Sequence, residues 1–192
     1  MKTKFLTLAI LAFGLVAQSS ARAEVNLFAL GLESVRLDAL DGYLIDWKVG
    51  DSANYDITGG PFGKMGTMTK AVTKEEGETL WLKQELNLMS QHEVIEIQLN
   101  RTDGTILKII RNGKEEKIPD DKLEIISQEY VDVTVPAGTF KSLHIIGKTK
   151  QIKSLELWAN PQDTCMEGTL KQIVDASLIK MTFVLTSFNK IP

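Results

Sequence analysis

His92 and His144 are the only imidazoles in the 192 residues, and Cys165 is the only thiol. A lone histidine brings too few ligands for a closed or catalytic zinc site, and His92-Glu93 lacks the second histidine that a zinc-binding helix requires. Cys165 has no partner for an intramolecular disulfide, and its neighbours Asp163 and Glu167 oppose thiolate formation. The Gly-x-Ser-x-Gly elbow of serine hydrolases is absent. Glu115-Glu116 and Asp120-Asp121 sit beside lysines, as a solvated, charge-mixed surface does. Asp38 and Asp41-Gly42 begin a calcium-loop pattern that the following residues do not continue. These residues predict a protein that is not an enzyme, with no metal and no cofactor.

The remaining chemistry is apolar. Methionine adapts to irregular shapes and aromatic rings cover large areas, so Met68, Trp81, Met89, Trp158, Met181 and Phe183, with Met65, form a candidate lining for an acyl chain or a similar guest. The bland alternative is an ordinary core. Trp81 is out of phase with Leu80 and Leu82 and is expected on the polar side of its strand, where it needs a second layer or a ligand.

Period-two alternation dominates the elements that would position these residues. Ala53, Tyr55 and Ile57 alternate before Gly59-Gly60-Pro61; Leu80, Leu82, Leu86 and Leu88 alternate with mostly polar residues; so do Ile95, Ile97 and Leu99. Each run reads as a half-buried strand. Asp103-Gly104 and Asn112-Gly113 bracket a strand from Thr105 to Arg111 and predict two tight hairpins. Pro136-Ala137-Gly138 predicts a third, folding Phe140–Gly147 back on Ile125–Val135. Strands are also expected at 64–72, 154–159, 170–174 and 179–188. The sum is an all-β, mainly antiparallel curved meander of nine or ten strands, forming a half-barrel, a closed barrel or a two-sheet sandwich. Residues 24–42 carry partial helical spacing and read as a short helix or irregular lead-in to a single domain over 43–192.

Lys2 and Lys4, the apolar stretch Phe5–Ala17 and the small-x-small Ala21-Arg22-Ala23 make residues 1–23 a cleavable secretory signal. The apolar stretch falls short of the ~20 residues a membrane span needs, and no cysteine at the cleavage point offers a lipid attachment site. The expected product begins at Glu24 and is a soluble protein of the periplasm or the exterior. Cleavage removes three basic residues and no acids, which takes the net charge from −3 to −6. That balance disfavours nucleic acid and anionic lipid as partners.

Val133-Thr134-Val135-Pro136-Ala137-Gly138-Thr139-Phe140, then Leu157-Trp158 and Pro161, then a closing strand Met181–Phe188, together with Val49-Gly50-Asp51 and Tyr55, resemble the TapB-like proteins and related exported bacterial β families of unknown function. Asn160-Pro161-Gln162-Asp163 stands where such proteins have a glycine-rich turn. The resemblance implies a curved sheet similar to lipoprotein-carrier half-barrels, and no activity. Three functions follow as expectations: a non-catalytic carrier of a hydrophobic ligand or lipidated partner; an envelope module that binds another protein through a sheet edge or face; and, last, a hydrolase assembled from distant residues.

Overall fold

Alternating burial along each strand forces the chain into a sheet with one apolar face. The computed structural model describes residues 45–59, 63–89, 91–118, 123–149, 152–175 and 180–192; the signal reading and the lead-in reading fall outside them. The strands are β1 (Ser52–Gly59), β2 (Lys64–Glu76), β3 (Thr79–Leu88), β4 (Gln91–Asn100), β5 (Ile106–Arg111), β6 (Lys114–Glu116), β7 (Glu124–Val135), β8 (Gly138–Lys148), β9 (Ser154–Ala159), β10 (Thr169–Asp175) and β11 (Lys180–Asn189). They form one antiparallel sheet in the order β6-β5-β4-β3-β2-β1-β11-β10-β9-β8-β7. The all-β reading holds, with eleven strands among the described residues; β6 is three residues long and too short to show a period.

The chain runs outward from β1 to the β6 edge, then resumes at the opposite edge with β7 and returns inward to β11, which pairs with β1. Ten interstrand gaps of ~4.8 Å would hold β6 and β7 ~48 Å apart in a flat sheet. The eight residue steps from Glu116 to Glu124 reach at most ~29 Å. The sheet must therefore curl, and because β6 and β7 do not pair with each other it stays an open half-barrel.

One core cluster joins the inner face from β1 through β5 to β7, β9, β10 and β11, including Ile57, Leu82, Ile97, Ile109, Leu155 and Leu185. The Asn112-Gly113 hairpin forms as its dipeptide requires, with φ of 48° and 78°. Trp81 lies on the opposite face of β3 from Leu80 and Leu82, and its indole N–H donates to Glu76 Oε2 at 2.8 Å.

Several of the residues that carry the resemblance lie where the two halves of the sheet join. Asp51 accepts from the backbone N–H of Lys48 at 2.9 Å and of Ile191 at 2.8 Å. The Tyr55 hydroxyl donates to Thr169 O at 3.1 Å. The tip of the β7–β8 hairpin turns in over β11: Ala137 N–H donates to Leu185 O, and the Phe140 and Phe188 rings meet edge to face at 6.4 Å.

Candidate functional site

The histidines and the cysteine occupy three separate environments. His92 is exposed, its Nδ1 2.8 Å from Asn87 Oδ1. His144 lies on the outer face of β8, stacked on Trp158 with centroids 4.2 Å apart and Nδ1 3.3 Å from Glu129. Lys171 covers the Trp158 ring at 4.7 Å. Among the described residues no three His, Cys, Asp or Glu side chains group closely enough to hold a metal ion.

Cys165 is buried in the β9–β10 loop, where its thiol donates to Ser52 O at 3.2 Å. Asn160 organises that loop: its side-chain N–H groups donate to Lys141 O and Asp163 Oδ2, and its Oδ1 accepts from Asp163 N–H. The segment Thr164–Leu170 is buried along its whole length, so the loop fills part of the concave side. It carries Glu167 to Lys70 on β2, an ion pair with side chains 1% and 3% exposed. Thr169 Oγ1 donates to Glu167 Oε1 at 3.2 Å, and the Tyr55 ring lies 5.8 Å from the Lys70 ammonium. Beside Lys70 in register sits Gln84, fully buried; its amide atoms and Glu167 Oε2 have no hydrogen-bond partner among the described residues.

Sequence reasoning missed this polar row, although its signal was present: Lys70, Gln84 and Arg111 are in phase with the aliphatic residues of β2, β3 and β5.

Burial first, then Glu167 and Asp51, pushes the Cys165 thiol up to about 12 from its ordinary value of 9.0. Burial first, then Glu167 and Cys165, raises the Tyr55 phenol well above its ordinary range. The folded state thus holds these protons to higher pH than the unfolded chain does. Their contribution is complete below the unfolded thiol value and is lost as pH rises from about 9 toward 12. Urea unfolding should show stability falling by up to about 1.4 kcal/mol per pH unit for each titrating group in that window. Cys165→Ala should flatten the slope, and an unchanged slope would discard the assignment.

The apolar candidates divide. Met68 and Phe183 are buried in the inner core, with Met181 and Trp158 packed against it. Trp81 projects from the opposite face of its strand, and Met89 is exposed at the β3–β4 turn. The structure therefore brings four to one cluster and leaves two apart.

A different feature stands open. β7 is an edge strand of twelve residues, exposed from Glu124 to Tyr130 and fully buried only at Val135. Its C-terminal end is tied down by the hairpin tip, while Ile125, Ile126 (59% exposed) and Tyr130 (83%) face solvent at the other end. Tyr130 pairs with Leu143 and Ile125 with Gly147 on one face of the hairpin, and Glu129 pairs with His144 on the other. A β-bulge lies between Ile125 and Ser127. Such an edge presents unpaired backbone groups that an extended chain can adopt as a template.

No protein-family model and no curated protein sequence matches the chain. Two solved structures resemble it in fold, each at 10% identity. One is a candidate exported protein with a YmcC-like fold from Bacteroides fragilis NCTC 9343, with a TM-score of 0.49, covering 77% of this chain and 99% of that one. The other is a candidate lipoprotein from Parabacteroides distasonis ATCC 8503, with a TM-score of 0.45, covering 77% and 98%.

Proposed function

We propose that this is a non-catalytic exported protein of the TapB-like kind, working in the periplasm or outside the cell, that binds another protein along the open edge of its half-barrel. The observation that carries the proposal is β7, a long edge strand with Ile125, Ile126 and Tyr130 in solvent. Proteins normally shorten or cover such edges, so a long one that leaves Ile125, Ile126 and Tyr130 in solvent among the described residues fits a docking strand. Export rests on residues 1–23, and among the described residues no helix is long and apolar enough to cross a membrane. The raised thiol of Cys165 and the separate settings of His92 and His144 support a non-catalytic role.

The carrier reading, with a lipid or other apolar ligand on those of the candidate residues that reach the inner cluster, Met68, Trp158, Met181 and Phe183, has less support. Core side chains and the 160–168 loop occupy the inner face, so a guest would have to displace packed residues.

Two measurements test the proposal. The mass of the protein recovered from the periplasm should match a chain starting at Glu24; a product retaining residues 1–23 in the cytoplasm would reject export. A photo-reactive side chain at position 130 should give a discrete cross-linked product in cells, abolished by Ile126→Lys, while the same probe at exposed Leu107 on β5 gives none. Identical products from both positions would reject docking at β7.

A further inference from the structure

We infer that the occupant of the β7 edge is an extended segment of another protein that sets apolar residues beside Ile125 and Tyr130 and basic residues beside Glu129 and Asp132. This rests on the edge-binding reading and names its partner's chemistry.

The two edges of the sheet are built differently. β6 has three residues, Lys114, Glu115 and Glu116, followed by Lys117: it is short and mixed in charge, which is a usual protection against unwanted pairing. β7 has twelve residues and contains no lysine, arginine or proline. Its only charged side chains are Glu124, Glu129 and Asp132, all acidic. Glu124 reaches Lys148 and Glu129 reaches His144 on β8, each at 3.3 Å, yet the two glutamate side chains remain 68% and 65% exposed. Both carboxylates therefore stay open to a further cation.

Register sets where the partner's residues fall. Tyr130 and Asp132 share one face with Leu143 and Lys141, while Glu129 and Val131 share the other with His144 and Ser142. An antiparallel strand places a side chain directly beside each of these, on the same face. Apolar neighbours then suit Tyr130, Val131 and Ile125, and basic neighbours suit Asp132, Glu129 and Glu124. A second copy of this chain fits less well, because its β7 has no lysine or arginine to offer these carboxylates, and in the register that sets Glu124 opposite Asp132 like charges meet and destabilise.

The probe that follows from this register is the capped peptide Lys-Val-Val-Lys-Thr-Thr-Val-Lys, with a control that has glutamate at the three lysine positions. The experiment is backbone amide exchange of the mature full chain at low ionic strength, with each peptide and with none. The lysine peptide should protect amides within 124–132 and lose affinity as salt is added, and the glutamate control should bind at least about tenfold more weakly. Glu129→Lys should narrow that difference.

Equal protection by both peptides would overturn the charge inference and leave edge binding in place. Binding of neither, with β7 amides exchanging fast, would overturn the inference, and the cross-link at position 130 would then judge the edge reading separately. Binding of neither, with a dimer in solution whose β7 amides are protected, would make a second copy the occupant and overturn the inference. Slow exchange, in the free monomer, of the β7 amides that point away from β8 would overturn both readings.

Discussion

Glu167→Ala should lower the unfolding free energy by about 3–5 kcal/mol, because it strands the Lys70 ammonium in the interior without its counter-charge. Both side chains are essentially out of water, so solvent cannot take over the role of the missing carboxylate. The Tyr55 ring and Gln84 remain beside Lys70, and neither carries a negative charge that could replace it. Replacing both partners, Lys70→Met with Glu167→Leu, should recover most of the loss, since a buried pair adds little over apolar residues of similar volume. Urea unfolding of the two single variants and the double gives the coupling directly. A single-variant cost below about 1 kcal/mol, typical of exposed pairs, would mean that water reaches the pair in solution. The exposed Lys64–Asp56 pair on the outer surface is the natural comparison, and its loss should be hard to measure.

Gly168→Ala should be of similar severity for a different reason. Gly168 has φ +72°, where an L side chain is strained, and an added Cβ would lie 2.2 Å from Pro161 N and 2.3 Å from Asn160 C. Those atoms are backbone, so the loop itself must move. Its movement would break the Asn160 N–H to Gly168 O bond of 2.8 Å and withdraw Glu167 from Lys70. Gly113→Ala provides the calibration: φ is +78° but the space around it is open, so it should cost only the left-handed backbone penalty of about 1–2 kcal/mol. Gly168→Ala should exceed that by at least about 2 kcal/mol, the scale of a buried group left unsatisfied. It should also be markedly non-additive with Glu167→Ala, because both act through one loop. Equal costs for the two glycine variants would show that the loop gives way freely.

Trp81, Asn112-Gly113 and the Pro136 turn were legible because each depends on neighbours within a few residues. Alternation assigns Trp81 to the face away from Leu80 and Leu82, and the hairpin dipeptide has the backbone freedom its turn demands. β6 was harder to see, since three residues hold no period. Lys70 and Gln84 were visible as polar residues in phase with a buried face, but the partner that makes Lys70 tolerable lies 97 residues away. The openness of β7 was hidden for the same reason: Ile125 and Tyr130 look like core-strand residues until the strand's place at the sheet edge is known.

Local spacing thus determined the all-β class, the main hairpins and which side of most strands is apolar, because side-chain direction in a strand repeats every two residues. The tertiary structure alone decided that β1 lies between β2 and β11, that the sheet curls without closing, that a loop supplies the buried carboxylate and that β7 is an edge no other described strand covers. Pairing order and burial are set by contacts between residues distant in the chain, and a period of two carries no record of which strand comes next.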